Sequence, residues 1–313
     1  MRMADNNAST EPVIIEQNLQ DWVITKVDEW SDYYEQNYAK KHQEYYRLWR
    51  GQWAAEDKTR QAERSQIIAP ALQQAVESNV AEIEEATFGR GNFFDIKDNM
   101  GDTETEDIGF LRNKLHEDFA IAKIRRDISE CLINSAVFGN GIGEVVLEEI
   151  KEMKPATEPV MDGAMEAVGV NVTNRTIVRL RPILPQNFRI DPTAANIEEA
   201  LGVAIDEFVG SHIVEQLQES GVYREGYIGT ANDEFELEAD QDLTVYQDDK
   251  TRLTKYYGLV PRHLLEDEMD DPDMISSEDK DSYYVEACVV IANKGTILKA
   301  EPSPFMMKDR PVV

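Results

Sequence analysis

The stretch "FGNGIGEVV", residues 138–146, decides how this chain is organised. On its N-terminal side, apolar residues recur every three or four positions, which predicts a helix that ends at Phe138. On its C-terminal side, "GEVVLEEI" has the period of two that is typical of a strand. Between helix and strand lie three glycines: Gly139, Gly141 and Gly143.

A glycine run of this kind belongs either to a phosphate-binding loop or to a sharp corner of the chain. A dinucleotide loop needs a strand before the glycines and a helix after them, because the positive end of a helix dipole is its N-terminus. Here the order is reversed. We therefore interpret the three glycines as a structural hinge, with Gly139 or Gly141 in a left-handed or closely packed conformation and no ligand beside either.

A long amphipathic helix, or two consecutive helices, is predicted over residues 16–50. The aromatic residues of this segment fall at helical spacing: Trp22, Trp30, Tyr34, Tyr38, Tyr45 and Trp49. An aromatic stripe of this kind is more typical of a core or a subunit interface than of a ligand cage.

A locally basic segment follows, in a chain that is acidic elsewhere. Its candidate interface residues are Arg47, Arg50, Arg60 and Arg64. Because opposite charges attract, we expect this segment to face an acidic surface of a neighbouring subunit. Contact with phosphate is the alternative.

Two further helical segments precede the glycines. The first begins after Pro70, ends at Gly89 and has an apolar face made of Leu72, Val76, Val80 and Ile83. The residues just beyond Gly89 have a strand-like composition. The second helical segment runs from about residue 104 to the glycines, with a break expected near 119–121.

Strands dominate the chain after the glycines. Residues 176–183 are the predicted hairpin partner of residues 143–150, and the 151–174 segment between them is expected to be irregular. Further strands are predicted at 202–209 and 251–261, with a short helix after the first of them. A hairpin that turns at Asn293, Lys294 and Gly295 comes near the end. The predicted fold class is α+β.

The formal net charge is −29, from 61 acidic and 32 basic residues. This balance argues against a protein that grips nucleic acid, because such binding depends on clusters of Lys and Arg. It is compatible with a protein that surrounds DNA, because an acidic wall repels phosphate and leaves a duplex free to slide. Charge that only keeps the protein in solution is the alternative. Two acidic loops are predicted, at residues 232–249 and 264–281.

The motifs of common enzyme classes are not found. The sequence has no G-x-S-x-G, H-E-x-x-H, C-x-x-C or Walker A motif, and its four histidines have no ligand spacing. A calcium loop that starts at Asp267 fails, because Met269 and Pro272 stand where a ligand and a glycine are needed. We therefore predict no catalytic residue, no cofactor and no metal site.

The composition also bears on the compartment. No apolar run is long enough for a membrane span, and the first residues lack the apolar part of a signal peptide. Cys131 and Cys288 lie within apolar segments and are interpreted as small buried hydrophobic residues. The sequence thus predicts a protein that is made and used in a cytoplasm-like compartment.

Several stretches, in this order over nearly the whole chain, resemble the portal (head–tail connector) proteins of tailed bacteriophages, particularly the short-tailed ones. The arginine-rich turn and following helix, the helix–glycine–strand corner, the unit around Asp191-Pro192, and a strand and a hairpin carry the resemblance. They are residues 48–89, 129–150, 181–209, 254–265 and 289–305.

The resemblance implies a portal-like α+β fold, with a helical wing body, small antiparallel β units and a β-containing stem and clip segment. It divides the chain into a flexible N-terminus (1–15), a wing-like body (16–250) and a stem–clip region (251–313). Portal proteins normally continue into a second stem helix, a channel loop and a crown, so we expect the natural protein to extend beyond residue 313.

The resemblance also implies a function without catalysis. Portals form homo-oligomeric rings of about twelve subunits at one capsid vertex. Double-stranded DNA passes through the ring without sequence-specific contacts during packaging and ejection. The implied partners are other copies of the chain, the tail adaptor, the terminase large subunit and the major capsid protein, in a virion assembled in the host cytoplasm. We expect Asp270, Asp271 and Asp273 to lie toward the channel or the clip rim.

Two other classes stay open at this point. A different ring-forming virion structural protein, such as an adaptor or a scaffold, would have a similar composition. An enzyme with an unrecognised carboxylate site is the second rival, although 61 acidic residues produce carboxylate pairs by chance.

Overall fold

The computed structural model of the protein describes residues 18–54, 69–89, 94–96, 105–159, 165–226, 228, 250–269, 274–275, 282–304 and 310–313. Helices and strands both contribute substantially, which confirms the α+β class. The helices are α1 (Leu19–Tyr34), a π-helical segment (Glu35–Ala39), α2 (Lys40–Trp49), α3 (Ala71–Phe88), α4 (Thr105–Ala122), α5 (Ile124–Phe138), α6 (Ser211–Glu219) and α7 (Arg262–Glu268). The strands are β1 (Ile142–Pro159), β2 (Met165–Ile183), β3 (Phe188–Ile190), β4 (Gly202–Gly210), β5 (Lys250–Pro261), β6 (Tyr284–Ala292) and β7 (Thr296–Pro302).

The chain divides into two compact units. The described residues up to Glu29 and from Glu207 to Pro304 form the first unit. The second unit holds Trp30–Asp206 and the described residues at the C-terminal end. The boundaries of these units differ from those of the predicted wing body and stem–clip region, which stay a prediction.

In the first unit, three antiparallel strands form the centre. β5 pairs with β6 (Tyr257 opposite Cys288), and β6 pairs with β7 (Val289 opposite Ala300). β5 is covered on both faces, because Leu253 lies in a buried cluster with Val214 of α6, whereas Trp22 of α1 contacts Tyr256 edge-on. Burial on both faces explains why the sequence of β5 lacks a polar–apolar alternation.

The turn between β6 and β7 is the predicted one. Asn293 and Lys294 have positive φ values of 46° and 55°, which a tight hairpin turn of this twist requires. Lys294 also forms an ion pair with Asp28 of α1 at 2.7 Å. The hairpin is therefore confirmed, and its turn is held against the first helix.

In the second unit, the helices pack beside a long two-stranded hairpin. β1 and β2 pair antiparallel from Ile142 opposite Ile183 to Pro159 opposite Met165. The predicted pairing of residues 143–150 with residues 176–183 is confirmed. β3 pairs antiparallel with the first part of β4.

Several predictions for local structure were wrong. Residues 151–174 are not an irregular excursion, because both strands continue through most of this segment. Residues 264–268 of the predicted acidic loop are helical and belong to α7. Residues 94–96, beyond the glycine at the end of α3, form no strand.

The predicted apolar face of α3 is only partly correct. Val76 and Val80 are buried, but Leu72 and Ile83 are 50% and 47% exposed. The predicted helix break is found slightly later, at Lys123, whose φ of 57° separates α4 from α5. α5 ends at Phe138, as predicted.

Candidate functional site

The glycine corner joins α5 to β1. Gly139 follows the last helical residue and has a φ of 91°, in the left-handed region that favours glycine. Its N–H donates to the Ser135 carbonyl oxygen at 2.9 Å and so closes the last turn of the helix. The predicted left-handed hinge is confirmed at this position.

Close packing explains the second glycine. A Cβ atom on Gly141 would overlap the carbonyl oxygen of Cys131, which is backbone and cannot turn aside. A Cβ atom on Gly143 would approach the end of the Leu180 side chain instead. The corner thus brings β1 directly against α5, and it presents the C-terminal, partially negative end of that helix.

The C-terminal residues complete this corner. The Gly143 N–H donates to the Val313 carbonyl oxygen and the Val313 N–H donates back, both at 2.9 Å, and the Val145 N–H donates to the Pro311 carbonyl oxygen at 2.7 Å. The Arg310 guanidinium donates to the carbonyl oxygens of Ile197 and Ala200 at 2.6 and 2.7 Å. The sequence carries no local pattern that could have predicted these contacts, because the partners are at least 110 residues apart.

An arginine anchors the long hairpin to α4. Arg175 of β2 donates to the Asp118 carboxylate and, at 3.2 Å, to Glu117. The hydrogen bonds that it donates to Glu117 and Asp118 raise the pKa of the Arg175 guanidinium above its ordinary value. The Lys114 ammonium lies 3.7 Å from Asp118 as well. This cluster fixes β2 to the helices.

Two of the four arginines predicted for the basic interface, Arg47 and Arg50, lie at the end of α2. Arg47 donates to the Gln52 carbonyl oxygen at 3.0 Å, and the Arg50 guanidinium lies 5.9 Å from the Tyr46 ring centroid. Arg60 and Arg64 lie outside the described residues. The segment as a subunit interface therefore stays a prediction, with two of its four arginines placed.

The predicted rim residues lie outside the described residues too. The 232–249 loop and the N-terminal segment 1–15, which was predicted to be flexible, also lie outside them, and the rim residues are Asp270, Asp271 and Asp273. Their expected location toward a channel or a clip stays a prediction.

Aromatic side chains line α1, the π-helical segment and α2. Tyr34 stacks on Tyr38 at 6.3 Å, and the Tyr34 hydroxyl is hydrogen-bonded to His42 Nδ1 at 2.9 Å. Phe138, the last residue before the corner, lies parallel to Tyr46 at 6.3 Å and edge-on to His42 at 5.6 Å. The corner therefore places an aromatic ring against the aromatic stripe that the sequence predicted.

Burial shifts the pKa of two members of this stripe. Burial raises the pKa of Tyr34, and Arg189, whose guanidinium lies 4.5 Å from the ring centroid, opposes the rise. Burial lowers the pKa of His42, and the charge of Lys41 lowers it further. Both effects favour the neutral form of His42.

The helical segment after Tyr34 is nevertheless mostly open to water. From Asp32 to Arg50, His42 is the buried residue, while several large side chains are 42 to 44% exposed. These are Tyr33, Tyr38, Tyr45, Tyr46 and Leu48. The sequence predicted the stripe but not which part of it the chain itself covers.

The described residues contain neither a metal-ligand cluster nor a membrane-spanning helix. Within these residues, no three His, Cys, Asp or Glu side chains come together as metal ligands would. In the same part of the chain, no helix is both long and apolar enough to cross a bilayer. Neither Cys131 nor Cys288 forms a disulfide; Cys288 is buried as predicted, whereas Cys131 is only partly buried, and burial raises its pKa.

No protein-family model matches the chain, and a search of curated proteins finds no significant match. The assignment of a function therefore depends on the residues and geometry described above.

Proposed function

We propose that this chain is a portal-type subunit, which assembles into a ring at one vertex of a tailed-phage capsid. Double-stranded DNA would pass through the ring during packaging and ejection. The ring would dock the terminase motor first and the tail adaptor later, and it would contact the major capsid protein around its rim. The proposed subunit performs no catalysis.

The observation that carries this proposal is the ordered series of portal-like stretches, centred on the helix–glycine–strand corner. In the protein, the corner joins a helical layer to a long hairpin through two glycines. Gly139 has a left-handed φ, and Gly141 has no room for a Cβ atom. Such a corner fits a hinge between helical and β parts of a wing-like body better than it fits a ligand loop, because the adjoining helix end is the negative one.

The charge of the chain supports the same proposal. A ring repeats the −29 charge of each subunit around its axis. A duplex inside such a ring is repelled from the wall on all sides and can slide, whereas a basic wall would hold it.

Electron microscopy of the purified protein tests this function. We expect closed rings of about twelve subunits with an axial hole wide enough for a duplex. Shells, open filaments or a persistent monomer would contradict a portal, and shells would favour a scaffold. An assay of ATP hydrolysis should show no turnover, because the proposed motor belongs to the terminase partner.

The acidic rim has its own test in this function. Asp270, Asp271 and Asp273 would each be replaced by asparagine in one variant. We expect rings that still assemble but that package DNA or dock the adaptor less well, because the repulsive wall is weakened. Unchanged packaging and docking would show that these residues are ordinary solvent-facing groups.

A further inference from the structure

The exposed part of the aromatic stripe has the spacing of a helix-packing seam. Four exposed residues of this helical segment follow one another at steps of three, four and three, and we call them the tyrosine seam: Tyr38, Lys41, Tyr45 and Leu48. This is the spacing by which one helix packs along another. Tyr38, Tyr45 and Leu48 are each 43 or 44% exposed, and Lys41 lies 5.9 Å from the Tyr38 ring centroid.

Exposed aromatic rings at packing positions are unusual on a monomer. Large exposed apolar patches on soluble proteins mark interaction sites, and tyrosine and arginine are enriched among the residues that dominate interface energies. The π-helical turn that contains Tyr38 is itself a feature found frequently at functional sites. The tyrosine seam therefore indicates a helical partner that the described part of the chain does not supply.

The second unit contains another helix with exposed apolar residues, α3. α3 buries Val76, Val80 and Phe88, and a stripe of residues beside these is exposed. The exposed stripe has steps of three and four too, and we call it the α3 seam: Leu72, Ala75, Asn79, Ile83 and Ala86. Its mostly small residues can receive large rings.

The two seams also differ in charge. α2 has three basic residues and one acidic residue, whereas α3 has four acidic residues and no basic one. On α3, Glu82 and Glu85 are exposed alongside the seam. Charge, side-chain size and helical spacing are thus complementary between the tyrosine seam and the α3 seam.

We infer that the tyrosine seam of one copy packs on the α3 seam of a second copy, in a head-to-tail contact. The proposal rests on the proposed function, since it names the surfaces by which subunits of a ring would meet. Because the two seams are different surfaces of the same chain, each copy uses one seam on each side. Such a heterologous contact generates a closed ring or an open filament rather than a symmetric dimer.

Nucleic acid is a poorer occupant of the tyrosine seam. Basic and aromatic residues together could stack bases, but the acidic α3 belongs to the same unit and the whole chain carries −29. An acidic helix of another copy offers negative charge directly opposite the basic residues of α2 and can pack its apolar residues on the rings, which a nucleic acid backbone does not do.

Two blocked variants test the contact by native mass spectrometry. The first carries Tyr45→Glu and Leu48→Glu and keeps an intact α3 seam. The second carries Leu72→Lys and Ile83→Lys and keeps an intact tyrosine seam. We expect each variant alone to be a monomer, and their equimolar mixture to form a dimer that grows no further, because one functional contact remains.

Control variants distinguish the loss of this contact from misfolding and from a failure of the proposed function. Phe110→Glu alters a residue that is 73% exposed and lies outside both seams, so it should assemble like the original protein. Tyr45→Phe should assemble as well, because the ring is retained. Blocked variants that still form rings would overturn the inference and leave the portal proposal intact. A mixture that stays monomeric would also overturn the inference, and an original protein that never assembles would overturn both.

Discussion

The two ends of the helical run from Leu19 to Trp49 have similar aromatic content but differ in burial. In the first part, Val23, Val27 and Trp30 are almost completely buried. In the last part, Tyr38 and Tyr45 keep more than two fifths of their surface exposed. Helical periodicity therefore identifies an apolar face but does not indicate what covers that face. The chain covers the first part itself, and in our proposal a second copy covers the last part.

The largest expected difference between these two parts concerns stability. Replacing Trp30 by alanine removes a buried ring from the second unit and should lower the free energy of unfolding by about 3 to 5 kcal/mol. The matched variant Tyr45→Ala should change it by no more than about 0.5 kcal/mol, because its ring is half in water. Denaturant unfolding of the dissociated chain measures the free energy of unfolding of both variants. Equal losses would contradict the difference in burial between the two parts.

The glycine corner supports the exposed part through Phe138, so a change there should have the next largest effect. Gly141→Ala places a methyl group against the Cys131 carbonyl and should cost about 1 to 3 kcal/mol of stability. The control is Gly109→Ala, since Gly109 lies within α4 with open space around its Cα. That variant should gain about 0.5 to 1 kcal/mol, because alanine favours a helix interior. Two effects of the same sign would contradict the packing described for the corner.

The smallest expected effect concerns pH. The pKa of His42 is below its ordinary value of 6.5 in the folded chain, so the unfolded chain takes up a proton first as the pH falls. The contribution of His42 to stability is therefore complete above the ordinary value and is lost as the pH falls through the lowered one. Between about pH 7.5 and about pH 5.5, the original protein should lose more stability than His42→Gln. Parallel stability curves would show that His42 is not held neutral.

Much of the fold follows from local patterns in the sequence. The order of helix, glycines and strand predicted the corner, because a left-handed residue and a close backbone approach both require glycine. The turn at Asn293 and Lys294 followed from an asparagine, which tolerates positive φ, between two strand-like runs. Both features are decided by a few neighbouring residues, which is why they could be predicted.

The features that the sequence did not predict depend on distant contacts. β1 and β2 continue through Pro155 and Gly169, residues that disfavour strands, because each strand pairs with the other. Leu72 and Ile83 fit the apolar period of α3 but are exposed, whereas Val76 and Val80 of the same face are buried. The pairing of Val313 with Gly143 lies entirely outside what a local pattern can indicate.

The most direct test of the central claim is hydroxyl-radical footprinting of the tyrosines, before and after assembly. Tyr283, which is 69% exposed in the first unit, and Tyr256, which is fully buried, serve as open and closed references. We predict that Tyr38 and Tyr45 react readily in the dissociated chain and become protected in the assembled protein, while Tyr283 keeps its reactivity. Tyr38 and Tyr45 that react equally fast in both states would contradict the claim that a second copy covers the exposed part of the helical run.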